Sequence, residues 1–562
     1  MAIAEALPMT KLSYARGADE PSVPDGTIGD WLDRAADQFA DVDGIVAPWQ
    51  GVRWTWSELR ERTDAFARGL STLGLAVGDR VGILSPNCVE WVLTQLATAR
   101  LGLVLVSINP AYRTHELGHA LRLAGVRALV TAPSFKTSDY VGMLAELMPA
   151  TAGDAAGPLF DPALPDLRYV IEIGGSTAPA RIAFDDLLIA EGELPKPALH
   201  ADQAINIQFT SGTTGAPKGA TLSHRNLLHN GASSAAGMRL GPDDRLCIPV
   251  PLYHCFGMVL GVLVCLTSGA TIVFPGPAFE PSLVLRTVEE ERCTGLHGVP
   301  TMFLAMLDHP DFASFDLSSL RTGIAAGALC PAPMMRRMID LMNLKEVTIA
   351  YGMTETSPLS TQTASDADLE TRTETVGTML PQFEGRVIDD EGNLVPLGTP
   401  GEYCSRGPGV MIGYWNQPEA TAASIKDGWM HSGDLATMDE QGRVRIVGRI
   451  KDMIIRGGEN IYPAEVELFL STHPAVADAA VFGIPCERFG EQVCAWIRPK
   501  APLDADEVLA WCKERISHHK VPARIRIVEE FPMTVTGKIQ KFAMRDAEKA
   551  AVAETLETKR AS

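Results

Sequence analysis

The chain has 562 residues, with 49 Lys and Arg against 69 Asp and Glu, a formal net charge of −20. That length exceeds one compact core and implies several units, or one large α/β body with an appendage. A hydrophobic share of 46% and a charged share of 21% exclude wholesale disorder, and the acidic balance excludes a bulk nucleic-acid or anionic-membrane binder, which needs clustered Lys and Arg.

The N-terminal stretch MAIAEALPMTKLSYARGADEP lacks a charged segment followed by a long apolar core, so it is not expected to be a signal peptide. TIGDWLDRAADQF (27–39) has helical periodicity with Thr27 as its cap, and WTWSELRERTDAFARGLSTLG (54–74) reads as a second helix. VGDRVGILSPN (77–87) is an apolar strand ending in a turn, VEWVLTQLATARLG (89–102) a helix, and VLVSINP (104–110) another strand. The alternation continues through ALVTAP and YVIEI and predicts a parallel α/β sheet. Residues 151–166, rich in Gly, Pro, Ala and Asp, read as an exposed loop. MVLGVLVCL (258–266) is the most apolar run; it falls short of the roughly 20 residues needed to cross a bilayer, so it is expected to be a buried helix or strand.

Near residue 380 the texture changes. GRVIDDEGNLVPLGTPGEYCSRGPGVMIGYW has short strands separated by D-E-G and G-T-P-G turns, and GWMHSGDLATMDEQGRVRIVGRIKD reads as two hairpins. A helix is expected from Pro463, followed by two strands, a helix over 504–516 and a strand over 524–531. The last residues, AEKAAVAETLETKRAS, are expected to be a frayed polar tail, and Arg-Ala-Ser at the end is not expected to be a peroxisomal or lipidation signal. Ten cysteines without a C-x-x-C pair point to buried, reduced thiols in a cytoplasmic protein.

Five segments carry chemistry. INIQFTSGTTGAPKGATLSH (205–224) runs from a strand into three glycines, several hydroxyls and Lys218, a composition suited to cradling phosphate but shared with polar surface loops; it is not a Walker loop. In PLYHCFG, His254 is a lone histidine beside Phe256, which more often marks a satisfied interior group. YGMTETS offers Tyr351 for stacking, Thr354 for a phosphate and Glu355 as a hard oxygen ligand for Mg²⁺, or simply a helix cap. HSGDLA presents Asp434 after a turn glycine, as a diol ligand or an Asx-turn. PMTVTGKIQK carries Lys538 on a loop, where a lysine is usually a solvated charge.

These segments, in this order, resemble the adenylate-forming acyl-CoA synthetases, whose relatives include firefly luciferases and peptide-synthetase adenylation domains. TSGTTGAPKG matches that family's phosphate loop throughout, and ten fixed positions at about one in twenty each make chance negligible. The resemblance covers roughly residues 27–545. It implies that Thr210, Ser211, Gly212, Thr213, Thr214, Gly215 and Lys218 hold ATP phosphates, that His254 and Phe256 form an aromatic gate, and that IAAGALC with Gly327 runs along the adenine. It further implies Tyr351, Gly352 and Thr354 at the nucleotide, Glu355 on Mg²⁺, Asp434 on the ribose with Arg449 beside it, and a hinge at Lys451. Arg456–Asn460, including Gly458, is implied to be a flexible loop that enters the site for the second half-reaction. Catalysis falls by resemblance to Lys538, Glu355, His254 and Thr214.

The fold implied is α/β: a large N-terminal domain of mixed sheets plus a β-rich part (1–450) and a small mobile α+β lid carrying the catalytic lysine (451–562). The implied activity is an ATP- and Mg²⁺-dependent carboxylate–CoA ligase, with coenzyme A and a small carboxylic acid as partners and neither nucleic acid nor an integral membrane association; a homodimer stays open. The acyl pocket is expected from Met258, Val259, Gly261, residues 298–301, 324–328 and 351–359, mostly small or apolar. CFGMVLG has no Asp after the gate, which disfavours an amino-acid substrate, and the pattern including HGVPTMF looks most like the medium-chain fatty acyl-CoA synthetases of the family-member-2 type. Aryl or branched acids, transfer to a carrier protein, a luciferase-like oxidation and a non-catalytic ATP-binding module are the alternatives.

Overall fold

A computed structural model describes residues 11–22, 24–149, 157–210, 217–328, 330–457, 459–486, 489–513, 515–533 and 539–561, with backbone alone for 552–561. The chain forms two compact units. One comprises Ala15–Gly385 with Ser405–His431; the other takes the described residues of Met1–Tyr14, Arg386–Cys404 and Ser432–Ser562.

The first unit contains two large sheets. In the eight-stranded sheet Ile182–Ala183, Tyr169–Glu172, Val126–Thr131, Arg80–Leu84, Val104–Ser107 and Ala204–Thr210 are neighbours in that order, followed by Lys218–Ser223 and Gly413–Tyr414. Its strands are parallel up to Ala204–Thr210 and antiparallel beyond it. The nine-stranded sheet is parallel from Glu346–Gly352 through Thr322–Ala326, Gly295–Leu296, Arg245–Cys247 and Thr271–Val273 to Asp43–Ala47, with antiparallel strands at both ends. The central strands are apolar on both faces, as parallel strands covered on both sides must be.

Capping follows local chemistry. Thr27 and Thr55 each accept from the backbone N–H three residues on, and Asp30 and Glu58 reach back to the cap; the helix Ile28–Gln38 starts where the sequence predicts, while Trp56–Thr72 starts two residues later than expected because Trp54 and Thr55 end the strand Val52–Thr55. The run MVLGVLVCL begins as a π-helix, Met258–Leu263, buried at every residue, and continues as an α-helix over Val264–Ser268. It lies between the two sheets: the Met258 sulfur faces Gln208 of one, and the Leu260 carbonyl accepts from His297, just after a strand of the other. Among the described residues no helix is long and apolar enough to cross a membrane.

The second unit pairs Asp434–Met438 with Val444–Arg449 as a hairpin. It also holds a five-stranded sheet in the order Glu459–Ile461, Ile454–Arg456, Gly490–Pro499, Val476–Cys486, with Arg524–Ile527 parallel to Gly490–Pro499. The two long strands are apolar on both faces. Ala479, Val481, Val493, Ala495 and Ile497 join a core with the helices Pro463–Ser471 and Ala505–Lys513, while Ala480, Phe482, Ile484, Cys494 and Trp496 form a second core with Phe531 and Met544.

Three expectations need correction. The C-terminal stretch is a helix, Lys541–Ala561, because the second apolar face needs a cover. Glu548 from this helix is 1% exposed, accepts from Trp496 Nε1 at 2.9 Å and pairs with Arg526 at 2.7 Å and Arg524 at 3.3 Å. Of the loop expected at 151–166, residues 151–156 lie outside the described residues, and the remainder is not simply exposed: Leu159 and Leu164 are buried in the core beneath the eight-stranded sheet. Arg456–Asn460 belongs to a tight antiparallel hairpin pairing Ile454 with Ile461 and Arg456 with Glu459, with Gly458 outside the described residues.

Two stability outcomes follow. Glu548→Ala leaves the buried Trp496 indole N–H without its acceptor, while the two half-exposed guanidinium groups turn to water, and is expected to cost on the order of 2 kcal/mol in denaturant unfolding of the full chain. His224 and His297 are fully buried, and burial lowers the pKa of each to about 4 from an ordinary 6.5. They stay neutral when folded but protonate in the unfolded chain, so stability is complete above about pH 6.5 and falls as pH drops towards 4, by about 2 kcal/mol per imidazole at pH 5. A His224→Gln variant should lose less melting temperature than the native chain between about pH 7 and pH 5; an identical slope would contradict this.

Candidate active site

The strand Ala204–Thr210 turns back on Lys218–Ser223, with Thr210 opposite Lys218. The segment between them joins two antiparallel neighbours at a sheet end. Ser211, Gly212, Thr213, Thr214 and Gly215 lie outside the described residues. Thr210 and Lys218 mark the two feet of the loop, and the Thr210 hydroxyl donates to the Lys218 carbonyl at 3.4 Å. The Lys218 ammonium sits 4.9 Å from the centroid of the Tyr414 ring, a cation–π distance. Tyr414 comes from the strand beside Lys218–Ser223, opposite Ala220, and its hydroxyl donates to Glu355 Oε1 at 2.7 Å. Burial and the Glu355 charge both push the Tyr414 phenol well above its usual value, so the hydroxyl keeps its proton and remains a donor. Lys218, Tyr414 and Glu355 therefore form one connected group at the mouth of the loop.

Glu355 lies in a single 3₁₀ turn, Thr354–Thr356, directly after the strand Glu346–Gly352. The backbone turns sharply there. A Cβ on Gly352 would stand 1.9 Å from the Pro358 carbonyl, so only glycine fits. The turn is held from below by Asn230, fully buried on the helix His224–Gly237. Its amide donates to the carbonyls of Thr356 at 3.0 Å and Leu359 at 3.2 Å, and accepts the Leu359 N–H at 2.7 Å. Four residues earlier, Asn226 donates to the carbonyls of Pro408 and Val410, and the Met411 N–H reaches the Glu355 carbonyl at 2.8 Å. Tyr351 and Thr354 are half-buried beside this turn. Glu355 with neighbouring hydroxyls is a set of hard oxygen donors, chemistry that fits Mg²⁺ and not a soft metal.

His254 caps the short helix Cys255–Gly257, its Nδ1 accepting the Phe256 N–H at 3.1 Å. Phe256 meets His297, with ring centroids 5.4 Å apart and planes 40° apart. Cys255 is buried beneath, and both burial and the Glu355 charge raise its pKa, leaving an inert thiol close to the acidic turn. Gly327 follows the strand Thr322–Ala326 at φ 90°, exposed, with the Val299 side chain beside it. The structure thus brings the loop feet, the gate segment and the acidic turn together within the first unit.

The other candidates belong to the second unit. Asp434 stands in a strand, opposite Arg449 across the hairpin, and the Arg449 guanidinium meets its carboxylate at 3.0 Å. Gly433 before it takes φ 68° within the strand, so the expected turn is a local kink. Lys451 is exposed in the 3₁₀ turn Ile450–Asp452. Arg456 donates to the His519 carbonyl and lies over the Phe489 ring. Lys538 lies outside the described residues.

Sequence reasoning missed Tyr414, Asn230 and His297. A signal existed for Asn230: Asn226, His229, Asn230 and Ser233 make a polar stripe at i, i+3, i+4, i+7 of one helix. Tyr414 and His297 are single polar residues in apolar surroundings, and nothing local marks their partners.

A model of the AMP-binding enzyme family matches residues 32–415, and one of the AMP-binding enzyme C-terminal domain matches residues 465–538. The putative acyl-CoA synthetase YngI of Bacillus subtilis (strain 168) is 44% identical over 92% of this chain and 96% of its own. The mitochondrial medium-chain acyl-CoA ligase ACSF2 of Bos taurus is 43% identical over 96% of this chain and 90% of its own. The ATP-bound crystal structure of MatB from Rhodopseudomonas palustris superposes with a TM-score of 0.80 at 31% identity, over 93% of this chain and 99% of MatB. On these matches, which together cover most of its length, the chain belongs to the AMP-binding enzyme family and is an AMP-forming acyl-CoA ligase.

Proposed function

We propose that this ligase activates a medium-chain fatty acid. The observation that carries the substrate class is the run after the gate: Met258–Leu263 is buried and holds no charged side chain to meet a polar or ionic tail. The bovine relative, named a medium-chain acyl-CoA ligase, supports the same class. The ten unpaired cysteines, nine of them buried, support a reducing compartment, and we assign the chain to the cytoplasm.

A carboxylate must be given a leaving group before a thiol can displace its oxygen. In the first half-reaction a carboxylate oxygen attacks the α-phosphorus of ATP, and the bond from that phosphorus to pyrophosphate breaks. The loop from Thr210 to Lys218 would hold the β- and γ-phosphates through backbone N–H groups, the hydroxyls of Ser211, Thr213 and Thr214, and the Lys218 charge. Glu355, kept in place by Tyr414 and assisted by Thr354, would hold Mg²⁺, which when bound offsets phosphate charge. Asp434 would accept from the ribose hydroxyls with Arg449 fixed beside it, while Tyr351 and Gly327 flank the adenine. Lys538 would sit between carboxylate and α-phosphate, reducing repulsion between two anions as they meet. In the second half-reaction the thiol of coenzyme A attacks the acyl carbon and the bond to AMP breaks. We assign residues 451–562 to a lid that turns about Lys451, withdrawing Lys538 and bringing in Arg456–Asn460 with Gly458, and residues 1–450 to the body; His254 and Phe256 gate the acyl channel.

Pyrophosphate exchange across saturated acids from acetate to palmitate, with benzoate and cinnamate, tests the substrate: the maximum should fall at medium chain length, and a maximum at an aryl acid would overturn it. Lys538→Ala should abolish exchange while sparing thioester formation from supplied acyl-AMP; an equal loss of both would sink the two-conformation account. Glu355→Gln should nearly abolish exchange, and Tyr414→Phe should raise the Mg²⁺ needed for half-maximal exchange about tenfold. Mn²⁺ binding followed by paramagnetic resonance should weaken in parallel.

A further inference from the structure

Of the four segments expected to line the acyl channel, three come from different parts of the chain: the helix after the gate, residues 298–301 and residues 324–328. One side chain bonds two of them and adjoins the third. His297 is fully buried; its Nε2–H donates to the Leu260 carbonyl at 2.7 Å, and its Nδ1 accepts the Ile324 N–H at 3.1 Å. Residue 298 follows it directly. Its ring also faces the gate ring of Phe256 at 5.4 Å. Burial lowers the imidazole pKa to about 4, so the ring is neutral, with one donor and one acceptor for its two partners.

Ile324 lies in a strand bonded in parallel along its length to Glu346–Gly352, so that end of the link is fixed to the sheet. Leu260 lies inside the π-helix Met258–Leu263. A π turn is wider than an α turn and is held only where neighbouring groups favour it. The helix has little freedom on its remaining sides. A Cβ on Gly261 would come within 2.9 Å of the Ile248 side chain, and one on Gly231 within 3.0 Å of the Leu263 carbonyl. The imidazole therefore sets the distance between the helix and the strand through two hydrogen bonds.

We infer that His297 is a positioning residue for acyl-chain specificity: by tying the Leu260 carbonyl to the Ile324 N–H it fixes the spacing of the channel walls and thereby the chain length accepted. This rests on the fatty-acid reading above. His297 itself is not among the residues assigned to the nucleotide or the reacting carboxylate, while Ile324 opens the segment that runs on to Gly327, so the KM for ATP is the control that separates selectivity among acids from an effect on the nucleotide. One methylene in an apolar pocket is worth about 10- to 200-fold in kcat/KM, so a small displacement of one wall has a large readout.

The test compares the full-length native enzyme with His297→Phe, which keeps a ring against Phe256 and removes both hydrogen bonds, and His297→Gln, which keeps a donor towards Leu260. Pyrophosphate exchange over saturated acids of two to sixteen carbons gives kcat/KM for each acid, and the KM for ATP is measured alongside. For His297→Phe the optimum should move or broaden by about two carbons, with kcat/KM for the native optimum down at least tenfold. The KM for ATP should stay within about twofold, and His297→Gln should return the optimum towards the native length. An unchanged length profile with an equal fall for all acids, or a parallel rise in the KM for ATP, would overturn the inference. If His297→Phe does not fold, Gly261→Ala displaces the same helix from Ile248, and an unchanged optimum in that variant overturns it equally. Failure of the native enzyme to exchange with any aliphatic acid would count against the fatty-acid substrate and not against the tie.

Discussion

The active site depends on a clamp that contributes no ligand. Asn230 places one side-chain amide against three backbone groups of the turn that carries Glu355. Buried backbone groups left unpaired are costly, and a primary amide can satisfy donors and acceptors together. The same helix face anchors residues 408–410 through Asn226 and the carbonyl of Pro381 through His229. Three loops are thus fixed to one helix. The acidic turn can be sharp, with the backbone of Gly352 packed against Pro358, because its direction is decided from underneath.

On that base a short electrostatic sequence is assembled from three separate segments. The ammonium of Lys218 lies against the Tyr414 ring, and the Tyr414 hydroxyl lies against the Glu355 carboxylate. The strand pairing that puts Tyr414 opposite Ala220 sets both distances. An aromatic ring between a cation and an anion keeps them apart while stabilising each, so neither neutralises the other by direct contact. A chain of net charge −20 thus still carries a local cation beside this group, and the overall balance bears on solubility instead.

The parts of the molecule legible in the sequence were those with local signatures. Strand–helix alternation, the Thr27 cap, the helix from Pro463 and the two hairpins near residue 440 each declare themselves within a dozen residues. The turn around Glu355 and the strand pair that flanks residues 211–217 were visible as motifs. What escaped was non-local. The C-terminal helix looked like a tail because its own sequence is polar and alanine-rich; the reason for its order lies in the second apolar face of Val476–Cys486 and Gly490–Pro499. Leu159 and Leu164 sit in a loop-like composition yet are buried. Tyr414, Asn230 and His297 find partners 59, 126 and 37 residues away, and no periodicity reports such pairings.

The π-helix shows the same limit from the opposite side. MVLGVLVCL is apolar all round, so it has no polar stripe to choose which face meets which sheet. Hydrophobic burial is non-directional and rewards any rotation of this segment almost equally. Its orientation must come from the directional contacts made at its rim: Gln208 and Ser107 on the Met258 sulfur, Gln95 on the Met258 carbonyl and His297 on the Leu260 carbonyl. Burial therefore supplies the stability of this element, and polar side chains from elsewhere in the chain supply its position. Under the proposal that this helix lines the acyl channel, the residues that determine the channel's shape would be polar and stand outside its lining.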